Sequence, residues 1–193
     1  QVMIAVAHAV DHRSPVTQGH SSRVASIAEA IGRRSGLSSD QTDDLRTAAF
    51  LHDVGHMTLA ADGQKPEAPG HTEEGERIVA GAKFPLEVVT AVRHHHDRWD
   101  AGGKAEGLMG SDIPMLARIL AVAERFEAST AGRGCVRVTP KAAQDQVMAG
   151  AGTEFDPAVV EALGRAVRDG SFELTLPDLA LPAVTAIPVP AAV

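Results

Sequence analysis

Between Gly19 and Ser35 the apolar residues Val24, Ile27, Ala28 and Ile31 recur at helical spacing, with polar residues between them. Gly36 ends that run in the manner of a C-cap glycine. Ser38 or Ser39 caps a second run, Gln41 to His52, with Leu45, Ala48, Ala49 and Leu51 on the buried side. The same period returns from Thr72 to Gly81, after an S/T-x-x-E-like start, with Ile78 and Val79 inward. Pro85 starts a helix through Val88, Val89 and Val92 into a histidine triplet, and Pro114 opens another through Leu116, Ile119, Leu120, Val122, Ala123 and Phe126. Thr139-Pro140 and Asp156-Pro157 each read as a helix start, for Lys141 to Ala149 and Ala158 to Asp169. Val2 to about Asp11, apolar and Ala-rich, reads as the end of a helix. The turn at His12 to Gly19 and the Gly-rich stretches Met57 to Gly70 and Asp97 to Asp112 are loops.

This pattern predicts an all-α body over residues 1–170, a bundle of about seven helices. After Ser171 the period changes. Phe172, Leu174 and Leu176 alternate with polar residues and four prolines follow, so 171–193 is expected to be a Pro-rich C-terminal extension: a short extended segment, then a tail outside the core.

Composition narrows the function classes. The 193 residues suffice for one domain with a real core. No apolar run reaches the roughly 18 residues of a membrane span, and no secretory signal is visible, so a cytoplasmic protein with no membrane partner is expected. The net charge of −7 argues against a duplex nucleic-acid surface. Aromatic residues at 3% and the absence of Tyr argue against a base-stacking platform. A single cysteine, Cys135, excludes an internal disulfide and a cysteine-based zinc site. Residue 1 is Gln inside an apolar stretch, so a preceding N-terminal domain is expected to be missing from the chain, and a homodimer is allowed.

The chemistry gathers around Phe50-Leu51-His52-Asp53-Val54-Gly55-His56, where an apolar helical run ends in His-Asp. His20 lies upstream; His71, the triplet His94-His95-His96, and the acids Glu124 and Glu127 lie downstream. Imidazole and carboxylate together suit Fe, Mn, Zn or Ni, and do not distinguish among them. Adjacent helical residues point about 100° apart, so His52 and Asp53 can serve one site only where the helix ends.

Four stretches in order resemble a known family. Leu51-His52-Asp53-Val54-Gly55 is similar to the signature of the HD phosphohydrolase superfamily. Three more resemble its HD-GYP branch, which hydrolyses cyclic di-GMP. They are Asp11-x-Arg13-Ser14-Pro15-x-Thr17-x-x-His20-Ser21-x-Arg23-Val24, His95-His96-Asp97-Arg98-Trp99-Asp100-x-Gly102-Gly103, and Ile113-Pro114-x-x-Ala117-Arg118-Ile119-Leu120-x-Val122-Ala123-Glu124. The likeness runs from about Ala9 to Val167. It implies an HD-domain helical bundle with two divalent metal ions. One metal would be held by His20, His52, Asp53 and Glu124, the other by Asp53, His71, His95 and His96, with Asp53 bridging. A hydroxide shared by the two metals would attack the phosphoester.

The chain departs from that branch in several places. Gly103-Lys104-Ala105 stands for Gly-Tyr-Pro, His56 for the Lys after His-Asp-x-Gly, and Glu124 for the last Asp ligand. The stretch from Asp53 to His71 is shortened, and Val136 takes the place of a basic residue after Arg133, with Arg137 one position late. The extra methylene of Glu124 moves its carboxylate by roughly 1.5 Å, so a shifted helix, a bridging water or a loose first metal is expected. His56 could donate to a phosphate oxygen or protonate the leaving oxygen, and Arg133 is a candidate phosphate clamp, so the expected catalytic set is Asp53, His56 and Arg133. His94 is expected to face away, Glu127 to be structural, and Arg98 and Arg118 to support the ligands or stitch the core.

The expected function is a metal-dependent phosphohydrolase acting on a small anionic phosphoester or nucleotide, with cyclic di-GMP the substrate the resemblance implies. The alternative from a different class is a catalytically degenerate sensing or binding module, favoured by the changes at Glu124, His56 and Gly103-Lys104-Ala105. A di-iron oxygenase of the HD type shares the ligand pattern and is a third reading.

Overall fold

The computed structural model describes residues 2–12, 17–59, 70–102, 108–133 and 136–172. Among the described residues there are eight α-helices and no β-strand: α1 (Val2–Asp11), α2 (His20–Arg34), α3 (Ser39–Leu51), α4 (His71–Gly81), α5 (Leu86–His94), α6 (Met115–Ala131), α7 (Pro140–Ala149) and α8 (Pro157–Arg168). Two short 3-10 turns, Val54–Met57 and Gly110–Asp112, precede α4 and α6. Arg13, the Ser14-Pro15 turn, most of the Met57 to Gly70 stretch expected to be shortened, Gly103-Lys104-Ala105, Cys135, and Leu174 and Leu176 with the prolines after them lie outside the described residues.

The helix boundaries follow local chemistry. Ser38 caps α3: its hydroxyl accepts from Gln41 N, while the Gln41 side chain accepts from Ser38 N. Thr139 and Asp156 cap α7 and α8, each with Pro at the first helical position. Helix α4 differs from the sequence expectation. It starts at His71, one residue before Thr72, and is preceded by Gly70 at φ +91°, without a side-chain cap. That left-handed turn puts His71 on the first residue of the helix, facing the end of α3.

Helix α6 packs on α2, α5, α7 and α8, and α2 also packs on α3 and α8. Ile27, Ile31, Leu45, Ile119, Leu120, Phe126 and Leu163 form the heart of the main core. Each such side chain contributes roughly 1.5–3 kcal/mol on burial. A second apolar cluster, Leu51, Val54, Val79, Val89 and Val92, underlies the first 3-10 turn, α4 and α5. Phe172, assigned by its alternation to the extension, instead sets its ring edge-on to Phe126 with centroids 5.6 Å apart. The packed body therefore reaches at least to that residue. Arg34 adds bonds to Asp169 and Ser171.

Candidate metal centre

The centre lies where the start of α2, the end of α3, the first 3-10 turn, the start of α4, the end of α5 and the interior of α6 converge. Helix α3 stops at Leu51, His52 is its C-cap, and Asp53 leaves helical geometry at φ −96°, ψ 6°. That break turns adjacent residues toward one point. Gly55 makes the close approach possible: a Cβ there would lie 1.9 Å from the His71 carbonyl oxygen and 2.6 Å from Gly75 N. Gly55→Ala must push α4 away from the turn. It is expected to cost about 1–3 kcal/mol or more and to lower metal content, read by thermal melting and metal analysis.

The histidines and carboxylates form two groups whose donor atoms lie within 4.8 Å of one another: His20, His52 and Glu124, and His71, His95 and His96. Asp53 lies between them with its oxygens divided. Oδ2 faces His52 Nε2 at 3.4 Å and His20 Nε2 at 3.7 Å. Oδ1 faces His56 Nε2 at 3.6 Å and His71 Nε2 at 3.9 Å. A Glu124 oxygen lies within 4.8 Å of His20 and His52 ring nitrogens, its Oε2 also lies 3.9 Å from His96 Nδ1, and Arg133 Nη2 lies 3.5 Å from its Oε1.

Three rings are locked by their second nitrogen. His52 Nδ1 donates to Ala49 O at 2.8 Å, His95 Nδ1 to Val92 O at 2.8 Å, and His20 Nδ1 to Glu127 Oε2 at 2.8 Å. Carbonyl and carboxylate oxygens only accept, so the proton sits on Nδ1 and the Nε2 lone pair points inward. His20 Nε2 and His52 Nε2 then meet at 3.1 Å. Two lone pairs at that distance need a positive charge between them, a proton or a metal. His95 Nε2 and His96 Nε2 are buried with no hydrogen-bond partner among the described residues. These observations, with the His and carboxylate donor set, fit divalent metal binding.

Burial alone would raise the Asp53 pKa, but the His52, His20 and His56 imidazoles hold it well below the usual carboxylate range. For Glu124, burial is likewise outweighed by His96, His52, His20 and Arg133, which bring it down to about 2. Burial and the neighbouring His96, His52 and His71 push His95 well below its ordinary value, so it stays in the neutral form that binds metal. Burial lowers His52 too, but there Asp53, Glu124 and the Ala49 hydrogen bond prevail and raise it.

Glu127 has a larger part than the sequence reading gave it. It is fully buried on α6 and accepts from His20 Nδ1, from Arg23 Nε at 2.7 Å and from Arg133 Nε at 3.1 Å. Those charges overcome the burial penalty and hold its pKa at about 2. The signal was present in sequence: His20 and Arg23, and Glu124 and Glu127, are i,i+3 pairs, each on one helix face. Arg133, expected as a phosphate clamp, is buried instead, with its guanidinium engaged by Glu127 and Glu124. His94 bonds Asp97 at 2.7 Å and belongs to neither group. Arg118 pairs with Asp156 and lies over Trp99, and Trp99 N donates to Glu154 O. Arg98 pairs with Asp100 and lies 3.8 Å from Glu154. Both arginines thus tie the loop after α5 to the segment before α8.

A family model described as "HD domain" matches residues 5–159. The chain belongs to the HD domain family. Divalent metal binding is what that family implies. This HD domain is 33% identical over 171 residues to the 3'3'-cGAMP-specific phosphodiesterase 2 of Vibrio cholerae, covering 82% of this chain and 33% of that protein. It is 31% identical over 174 residues to the cyclic di-GMP phosphodiesterase response regulator RpfG of Xanthomonas campestris, covering 83% and 46%. It thus spans between a third and about half of those proteins. Among solved structures, the V. cholerae cyclic GMP-AMP specific phosphodiesterase V-cGAP3 superposes with a TM-score of 0.72 at 20% identity, covering 87% of this chain and 48% of that one. The HD domain of the L. monocytogenes phosphodiesterase PgpH gives 0.56 at 18% identity, covering 85% and 97%. Both support the helical fold. Among the described residues no helix is long and apolar enough to cross a membrane.

Proposed function

We propose that this HD domain is a metal-dependent phosphodiesterase that hydrolyses a cyclic dinucleotide through a dinuclear centre. The observation that carries the reading is the divided carboxylate of Asp53, one oxygen toward each histidine group. One metal would be held by His20, His52, Glu124 and Asp53 Oδ2, the other by His71, His95, His96 and Asp53 Oδ1. Two such ions supply an acidified water and positive charge for the phosphate oxygens.

The chain's own residues prepare that centre. Backbone carbonyls and Glu127 hold His52, His95 and His20 in one tautomer, so little reorientation is needed on binding. Arg23 and Arg133 balance Glu127, and Arg133 also steadies Glu124. The low pKa of Asp53 keeps both its oxygens available as acceptors. The substrate class is supported by the relatives' names, cyclic di-GMP and 3'3'-cGAMP.

The test incubates the chain with cyclic di-GMP and 3'3'-cGAMP after chelation and after reloading with Mn or Fe. Hydrolysis that chelation removes and reloading restores is expected. Oxygen uptake without phosphodiester cleavage would favour the oxygenase reading. Metal binding without turnover would favour the sensing module.

A further inference from the structure

We propose that His56 is itself a metal ligand: its Nε2 joins Asp53 Oδ1 and His71 Nε2 around one ion. This rests on the dinuclear reading above and gives His56 a role different from the proton donor expected from sequence. The 3-10 turn Val54–Met57 carries His56 back over Asp53, at i+3. Its Nε2 lies 3.6 Å from Asp53 Oδ1, nearer than His71 Nε2 at 3.9 Å. The donor atoms of Asp53, His56 and His71 all lie within 4.8 Å of one another. Two ligand atoms about 2.1 Å from one ion stand roughly 3.0–3.4 Å apart, so on binding the 3.6 Å and 3.9 Å separations from Asp53 Oδ1 close, and the two ring nitrogens close from within 4.8 Å of each other.

The ring lies beside that of its partner. His56 is 8% exposed and stacks on His71 with centroids 4.4 Å apart and planes 7° from parallel, so one ring turns out of the stack for both in-plane lone pairs to meet one ion. The Gly55–His71 backbone contact fixes the two segments that carry these rings. A proton donor to a leaving group must face the substrate, whereas this Nε2 faces the carboxylate already shared with His71. The chemistry of the residue type agrees. A protonated Lys cannot ligate, but a neutral imidazole can.

The experiment uses the full chain with Zn(II) alone as the probe. Histidine is labelled with ¹⁵N, and ring nitrogen resonances are recorded without metal and with Zn(II), with His56 assigned by its loss in His56→Gln. The His56 Nε2 resonance is expected to move to a metal-bound position together with that of His71. In chelator-competition titrations, His56→Gln and His56→Lys are each expected to weaken the Asp53–His71 site at least tenfold, since even outer-shell partners of a ligand are worth about 10–100-fold. The His20–His52 site should be unchanged. If His71 shifts on Zn(II) binding while His56 does not, and both variants bind as the wild type does, His56 is not a ligand and the dinuclear centre stands. If the wild type takes up no Zn(II) at all, both this proposal and the dinuclear reading fail.

Discussion

Asp53→Ala is expected to leave the chain without either metal, whereas His71→Ala should lose one and keep the other. The asymmetry comes from the divided carboxylate. Only Asp53 places an oxygen within 4 Å of ring nitrogens from both histidine groups, among the described residues. Without it, His20 and His52 retain Glu124, but their lone pairs face each other across 3.1 Å with one carboxylate fewer to balance a bound cation. His71→Ala removes a ligand from its own group only. Phosphodiester cleavage by Asp53→Ala should fall by at least about 10³-fold, roughly 4 kcal/mol of barrier, because both the activated water and the charge on the phosphate oxygens are lost. Metal content by mass spectrometry checks the prediction. Equal stoichiometry in the two variants contradicts the two-site assignment.

The second large effect is on stability. Glu127→Ala should cost about 3–5 kcal/mol, the penalty of breaking a buried charge cluster from one side. The side chains of Arg133 and Arg23 are only 6% and 14% exposed; Arg23 would lose its carboxylate, and Arg133 would keep only Glu124 at 3.5 Å. For a chain of this size that corresponds to a fall in Tm of about 6–20 °C. Glu127→Gln keeps the shape and an acceptor for His20, so it should lose less stability while still weakening metal binding at the His20 side. Thermal melts of the three proteins, with and without metal, separate the outcomes. An alanine variant as stable as the wild type would show that the cluster does not hold α2 to α6.

Much of this was legible in the chain because two independent periodicities coincide. The 3.6-residue apolar pattern located α2, α3, α5, α6, α7 and α8; α2 starts at His20, α3 ends beside His52, α5 ends beside His95, and α6 carries Glu124 and Glu127 within it. The break after Leu51 followed from His52 and Asp53 being adjacent, since a continuing helix would separate them. Other features depend on approach in space. That Gly55 admits the His71 carbonyl, or that Arg133 turns inward to Glu127 and Glu124, requires knowing how α4 and α6 meet the end of α3. Arg133 read as a phosphate clamp because a guanidinium offers phosphate oxygens a bidentate fork. Here the buried Glu127 and the part-buried Glu124 on the preceding turns draw it in. Phe172 read as an extended segment outside the core because alternation marks such a segment, and alternation says nothing of what lies beneath it; Phe126 does. The shift in the start of α4 has a similar origin. Thr72 has the residue type of a cap, but Gly70 supplies the left-handed turn that the chain uses.

Metal content of anaerobically purified protein, measured by mass spectrometry beside a phosphodiester assay on the same sample, tests the central claim most directly. About two divalent metals per chain, with cleavage that tracks their occupancy, is the result the account predicts. No bound metal after loading with Mn, Fe and Zn in turn, and no cleavage, would contradict it: the two histidine groups would then hold protons rather than ions.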